Sequence, residues 1–180
     1  MLRRMVKRLT VNCTEHTGVL IKIMAVQIGK DKTMKMNEDV FNEICTTLKK
    51  YRYETGGIIG IDENGIISVF QFDNIQNPKM YEYYPNTVFL NKIINSEWKE
   101  KNIKFAGFVH SHLHNCKISP KDIEYARLII KSNICIENIL IGILDLSMEL
   151  NKLTWTLIHY NYLKQINKID MIHVEKEVKK

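Results

Sequence analysis

The sequence predicts a single mixed α/β (α+β) domain, with a mixed β-sheet flanked by helices. Apolar residues recur at helical spacing in three segments, and short apolar runs bounded by turn residues lie between those segments. Helices that alternate with strands and hairpins are typical of a sheet covered by helices. A chain of 180 residues is long enough to bury a substantial core as one domain.

The first 33 residues are assigned to an N-terminal extension. The runs LTVNCT and GVLIKIMAVQI are typical of strands, and turn residues from His16 to Gly18 lie between them. This pattern indicates a β-hairpin, to which we assign no function.

The main domain is assigned to residues 34–165. Asn37 is a suitable N-cap, and apolar residues at helical spacing after it predict an amphipathic helix to about Arg52. Glu54 follows in the sequence ETGG. The runs GIIGI and IISVFQF flank the turn DENG and predict a β-hairpin, because an Asn-Gly pair readily adopts the positive φ values of a tight turn.

A Tyr-rich segment, QNPKMYEYYPN, is predicted to be a loop. A second helix is predicted from Thr87 to Glu100, where apolar residues fall at four-residue intervals, and KFAGFVHSH is typical of a buried strand. A third helix is predicted to begin with Ser119 as N-cap, Pro120 as its first residue and Asp122 three residues after the cap.

Two more strands are predicted at NILIGILDL and KLTWTLIHYN. The remaining residues, 166–180, are assigned to a charged C-terminal tail with one short apolar alternation, DMIHVE.

The composition argues against several functional classes. The 26 basic and 20 acidic residues give a net charge of +6, but the positive charge is concentrated at the termini, so a nucleic-acid partner is not expected. No apolar run approaches the roughly 18 residues that cross a bilayer, so no membrane segment is expected. Scattered cysteines without a CxxC pair favour reduced thiols and a cytoplasmic location; they are Cys13, Cys45, Cys116 and Cys135.

Three histidines, His110, His112 and His114, lie at the end of the predicted KFAGFVHSH strand. Because strand side chains alternate between faces, His110 and His112 project from the same face and could reach one metal ion. Asp122 lies one turn into the following helix, where the helix dipole favours an ionised carboxylate. Two histidines and a carboxylate leave a fourth position open, which is typical of catalytic zinc.

These residues resemble the motif of the JAMM (MPN+) metalloproteases, in which a distant glutamate is followed by His-x-His and then by Ser-x-x-Asp. Here the matching residues are Glu54, HSH at 110–112 and SPKD at 119–122. The sequences ETGGIIG and DIEYA are also similar to those of prokaryotic members. The resemblance covers residues 34–160, with two departures in one loop. Six residues rather than seven precede the serine, and a leucine replaces the common proline after HSH.

The resemblance implies a single JAMM/MPN domain with a cytidine-deaminase-like fold and one zinc ion per chain, held by His110, His112 and Asp122. Glu54 would act as the general base, and Ser119 would stabilise the oxyanion. The implied activity is that of a zinc metallo-isopeptidase or peptidase, which hydrolyses the amide bond after the C-terminal tail of a ubiquitin-like or sulfur-carrier protein. Small peptides or amino-acid adducts are alternative substrates, and a catalytically inert MPN scaffold is the alternative without enzymatic activity.

The choice of metal ligands and catalytic residues has alternatives. If the strand continued, His114 would share the face of the two preceding histidines and could complete a three-histidine zinc site. Otherwise His114 and Cys116 are expected on a loop near the metal. Helix capping alone would explain Ser119 and Asp122, and Glu54 could be a surface carboxylate before a Gly-Gly turn.

Overall fold

The computed structural model describes residues 33–73 and 79–173, which form one eight-stranded sheet with three α-helices. The strands are β1 Thr33–Asn37, β2 Gly56–Ile61, β3 Ile67–Phe72, β4 Lys104–His112, β5 Asn138–Asp145, β6 Leu153–His159, β7 Leu163–Ile166 and β8 Lys168–Ile172. The helices are α1 Glu38–Leu48, α2 Thr87–Lys92 and α3 Pro120–Ser132. The predicted N-terminal hairpin, over residues 9–28, lies outside the described residues.

The strand order across the sheet is β7-β6-β5-β4-β2-β3-β1-β8. The predicted β2–β3 hairpin is confirmed as an antiparallel pair, whereas β4 and β5 are parallel and are connected through α3. A parallel pair needs such a crossover, because its two strands run in the same direction. Because α3 begins a short loop after β4 ends, its first residues lie near the carboxyl end of β4, where the candidate histidines are.

Apolar side chains cover both faces of the central strands, in two separate clusters. Neighbouring residues of β4 divide between them, since Val109 packs with α1 on one face and Phe108 packs with α2 and α3 on the other. Burial on both faces explains why the central strands are almost continuously apolar in sequence. His110 and His112 have the parity of Phe108, so they lie on the α3 face of the sheet.

One predicted helix ends earlier than expected, and another contains a π-helical segment. Helix α1 ends at Leu48, four residues before the predicted end at Arg52. The predicted second helix runs from Thr87 to Glu100 as expected, but it contains a π-helical segment at Ile93–Trp98. Side chains there compete for backbone carbonyls, since Asn95 Nδ2 donates to Asn91 O at 2.9 Å and Ser96 Oγ donates to Lys92 O at 2.5 Å.

The sheet extends into the segment that the sequence assigns to the charged tail. Strand β8 pairs in parallel with β1, from Thr33↔Lys168 to Asn37↔Ile172. Both β7 and β8 are edge strands, with charged residues and few buried positions, so their apolar pattern in the sequence is weak. Residues 174–180 lie outside the described part of the chain.

The cysteines do not all match their expected reduced state. Cys45 and Cys116 are free thiols, as expected, but Cys135 is disulfide-bonded. The prediction of four reduced thiols is therefore wrong for Cys135, because spacing along the chain does not show which sulfur atoms meet in space.

Within residues 33–73 and 79–173, no helix is long and apolar enough to cross a membrane.

Candidate metal centre

The end of β4 holds two histidines side by side on the α3 face of the sheet. The strand is paired on both sides, with His110 opposite Gly56 of β2 and opposite Ile143 of β5. This double pairing fixes the backbone, and the alternation of side chains points both imidazoles the same way. The Nε2 atoms of His110 and His112 are 3.1 Å apart.

The start of α3 brings a carboxylate to these histidines. The predicted capping box is confirmed, since Ser119 Oγ accepts a hydrogen bond from Asp122 N at 3.2 Å and Asp122 Oδ2 accepts one from Ser119 N at 2.9 Å. Asp122 Oδ1 lies 3.3 Å from His110 Nε2, and Asp122 Oδ2 lies 3.8 Å from His112 Nε2. The cap therefore orients the carboxylate towards both imidazoles.

The spacing of these donor atoms fits a small divalent cation. One ligand atom from each of His110, His112 and Asp122 lies within 4.8 Å of the other two. Nitrogen and oxygen ligands bound at about 2.1 Å in a tetrahedral arrangement are about 3.4 Å apart, and the Nε2–Nε2 separation of 3.1 Å and the His110 Nε2–Asp122 Oδ1 separation of 3.3 Å are close to that value. The group could hold a metal ion.

The protonation of the group also suits metal binding. His110 and His112 are buried, with 4% and 8% of their surfaces exposed. Burial lowers the pKa of His112, and the neighbouring His110 lowers it further, which favours the neutral imidazole that binds metals. Burial alone would raise the pKa of Asp122, but the bonds with His110 and Ser119 outweigh it and hold that pKa well below its usual range.

Glu54 lies beside this group, immediately before β2. Ser111 N donates to Thr55 O at 2.8 Å, and Thr55 N donates to Ser111 Oγ at 3.1 Å, so the β2–β4 pairing continues past Gly56. Glu54 is the next residue before this pairing, so it lies near the end of β4 that carries His110 and His112. Burial raises the pKa of the Glu54 carboxyl, His110 lowers it, and Asp122 raises it. These charge interactions place the carboxyl within electrostatic reach of the candidate ligands.

His114 does not join the group in the described part of the chain. Strand β4 ends at His112, so the alternation does not continue, and His114 is exposed with its ring centroid 6.2 Å from that of Tyr81. Cys116 lies further along the same loop, and its carbonyl accepts a hydrogen bond from Thr154 Oγ1 at 2.7 Å. The structure thus brings Asp122, rather than His114, to the two histidines.

Residues 79–86, the rim loop, border the group and include contacts that the sequence analysis missed. Tyr83 stacks on His110, with ring centroids 5.6 Å apart and an interplanar angle of 25°, and its hydroxyl donates to Asp73 Oδ2 at 3.0 Å. Glu82 forms an ion pair with Lys121 of α3. The Tyr-rich composition of the segment was the only sequence signal, and it does not show which ring packs against a histidine.

No protein-family model matches the chain, and no curated protein matches it. Among solved structures, the solution structure of protein DSY2949 from Desulfitobacterium hafniense is similar, with 13% sequence identity and a TM-score of 0.59. The alignment covers 81% of this chain and 97% of that chain, and at this identity it shows a shared fold. The crystal structure of AF2198, a JAB1/MPN domain protein from Archaeoglobus fulgidus, has 14% identity and a TM-score of 0.43 over 76% of this chain and 100% of that chain.

Proposed function

We propose that the chain is a zinc hydrolase of the JAMM/MPN type, with the cytidine-deaminase-like fold that this family implies. Its activity would be that of a metallo-isopeptidase or peptidase, cleaving the amide bond after the C-terminal tail of a ubiquitin-like or sulfur-carrier protein. The observation that carries the proposal is the convergence of His110, His112 and Asp122, with the Glu54 carboxyl within electrostatic reach of His110 and Asp122. A spacing of 56 residues in sequence separates Glu54 from His110, so only the fold makes them neighbours.

The donor set fits zinc. Imidazole nitrogen and carboxylate oxygen are common zinc ligands, and three protein ligands leave the open position that distinguishes catalytic from structural sites. When bound, zinc would supply a Lewis acid that polarises a carbonyl and lowers the pKa of water towards about 7. The neutral imidazole of His112 and the ionised carboxylate of Asp122 are the protonation states that such binding requires.

Glu54 is suited to move a proton beside this group. A carboxyl whose pKa is raised by burial accepts a proton more readily at neutral pH than an exposed carboxylate does. Glu54 would take a proton from the attacking water and return it to the leaving amine. Its backbone N–H donates to Met80 O at 3.1 Å, which ties this residue to the rim loop.

Ser119 retains a hydroxyl hydrogen for a second role. In the capping box its Oγ acts as an acceptor for Asp122 N, so the O–H is not consumed by that bond. The hydroxyl would donate to the oxyanion that develops on the scissile carbonyl, at the positive end of α3. Capping and oxyanion stabilisation therefore use different parts of the same group.

The surface around the group supports a protein as substrate. Met80, Tyr81 and Tyr84 of the rim loop are all more than half exposed, as is Val88 in the first turn of α2. Neighbouring exposed apolar side chains are typical of contact sites for other proteins. The net charge of +6 would also favour an acidic partner over a basic one.

Hydrolysis can be tested with the full chain loaded with zinc. The substrates are a ubiquitin-like protein fused through its tail to a reporter, and short peptides that carry the same tail sequence. We expect cleavage of the fusion after the tail, sensitive to chelation and absent in Asp122→Ala. Cleavage of the peptides alone would favour a small-peptide hydrolase. Zinc binding without any cleavage would contradict the proposal and favour an inert scaffold.

A further inference from the structure

The buried carboxylate of Asp73, at the end of β3, is separated from His110 of β4 by the intervening strand β2. Asp73 N donates to Gly56 O at 2.9 Å, and Gly56 in turn pairs with His110. Residues paired directly across strands project from the same face, so Asp73 and His110 flank the glycine on one side of the sheet. A Cβ at Gly56 would lie 2.6 Å from His110 Cβ, so only a glycine leaves room for this arrangement.

Asp73 organises the rim loop through one of its two carboxylate oxygens, while Oδ1 is buried without a hydrogen-bond partner in the described residues. It is 0% exposed, and its Oδ2 accepts hydrogen bonds from Tyr83 Oη at 3.0 Å and from Asn86 N at 2.7 Å. A buried carboxylate is costly unless such bonds compensate for its lost hydration. The two bonds fix the Tyr83 side chain and the residue that caps α2 to the same point next to β2.

The ring of Tyr83, whose hydroxyl is bonded to Asp73, packs against the imidazole of His110. The two rings are stacked, with an interplanar angle of 25°. His112 has a side-chain hydrogen bond with Asn115, but His110 Nδ1 is buried without a hydrogen-bond partner in the described residues. Metal-binding histidines are usually oriented by a contact at the second ring nitrogen. The Tyr83 ring therefore contacts the His110 imidazole away from Nε2, the atom that faces His112 and Asp122.

We infer that Asp73 and Tyr83 are positioning residues for His110. Asp73 holds the Tyr83 ring by its hydroxyl, and the ring keeps His110 Nε2 directed towards His112 and Asp122. The inference rests on the proposed metal site, to which it adds the groups that orient one of its ligands. Neither Asp73 nor Tyr83 belongs to the metal-binding group itself.

The first measurement uses the metal-free full chain and does not depend on zinc. NMR signals of the His110 ring, assigned by their loss in His110→Ala, would be compared in wild type, Tyr83→Leu, Tyr83→Phe and Asp73→Asn. We expect the Tyr83→Leu change to shift the ring protons through loss of the stacked ring. Asp73→Asn and Tyr83→Phe should give smaller shifts in the same direction. Tyr84→Phe is the matched control, because its hydroxyl bonds to Glu82 and not to Asp73, and it should leave these signals unchanged.

The second measurement is zinc affinity by competition with a chelator. Loss of an orienting contact typically weakens metal binding about 10- to 100-fold, and we expect a loss in this range for Tyr83→Leu and for Asp73→Asn. If Tyr83→Leu does not fold, Tyr83→Phe and Asp73→Asn still carry the test. Folded variants with unchanged His110 signals and wild-type zinc affinity would overturn the inference while leaving the zinc site intact. A wild type that binds no zinc would instead contradict the proposed function, and the His110 signals would still decide the positioning role.

Discussion

The carboxylate of Asp122 bonds to the helix cap and faces a candidate metal ligand at the same time. Its Oδ2 accepts a hydrogen bond from Ser119 N at 2.9 Å, and its Oδ1 lies 3.3 Å from His110 Nε2. The hydrogen bonds that begin α3 therefore also hold the carboxylate in front of the imidazole. Helix capping and the candidate metal site depend on the same side chain.

This double role predicts a stability effect in the absence of metal. Asp122→Ala removes one side of the capping box, so we expect the free energy of unfolding of the metal-free protein to fall by about 1 kcal/mol. Glu124→Ala, at an exposed position of the same helix, is the control and should change it little. Chemical denaturation of both variants measures the difference. Equal stability of wild type and Asp122→Ala would show that the cap does not depend on this carboxylate.

The two roles of Ser119 can be separated by replacing it with glycine. Glycine is an acceptable N-cap, so Ser119→Gly should cost only a few tenths of a kcal/mol in stability. If the hydroxyl stabilises an oxyanion, its loss should lower kcat by about 10²- to 10³-fold. Steady-state kinetics of the zinc-loaded protein provides the test. Wild-type kcat in Ser119→Gly would assign this residue to capping alone.

Glu54→Gln should lower kcat strongly without loss of the metal. The amide cannot accept a proton, and general base catalysis typically contributes about 10²- to 10⁴-fold. Glu63→Gln, in the exposed turn between β2 and β3, removes the same charge away from the site and should be fully active. Kinetics and zinc content would be measured together. Glu54→Gln with wild-type kcat would exclude this residue as the base.

Acid should destabilise the metal-free protein through His112. Its pKa is lowered in the folded state by burial and by His110, so the unfolded chain binds a proton more readily there. The stabilising contribution of the neutral ring is complete above about 6.5, the usual histidine value, and is lost as the pH falls through the lower folded value. Unfolding midpoints between pH 5 and 8 should fall more steeply with acid for wild type than for His112→Gln. Parallel curves would contradict this assignment.

Gly56→Ala tests how closely β2 must approach the site. The new Cβ would lie 2.5 Å from Val109 O and 2.6 Å from His110 Cβ, so the strand or the histidine must move. Overpacking of this kind typically costs about 1–3 kcal/mol, and we expect zinc affinity to fall as well. Gly65→Ala strains a turn whose φ is +74° but meets no atom within 4 Å, and it should leave zinc affinity unchanged. Unaltered zinc affinity in a folded Gly56→Ala variant would contradict the prediction.

Local patterns in the sequence predicted the parts of the candidate site that lie within single elements. The alternation of His110 and His112 required only strand geometry, and the start of α3 required only the spacing of Ser119 and Asp122. Both depend on neighbours in sequence. The proximity of Glu54 came from the family resemblance, and the β2–β4 pairing supplies its physical basis.

The parts that could not be predicted depend on contacts between distant segments. Asp73 directly follows β3, and the residues around it in sequence do not show that it is buried or that it accepts a hydrogen bond from Tyr83. Strand β8 has only a weak apolar pattern and is stabilised by pairing with β1, more than 130 residues earlier. The π-helical segment results from a local competition for carbonyls that helical periodicity does not reveal.

The measurement that tests the central claim most directly is the zinc content of the purified full chain, compared with Asp122→Ala and His114→Ala. We predict about one zinc per chain in wild type, the same in His114→Ala and little in Asp122→Ala, since three protein ligands are typical of a catalytic site. Zinc lost with His114→Ala but retained with Asp122→Ala would contradict the account and favour a three-histidine site. A wild type without zinc, even after reconstitution, would contradict it altogether.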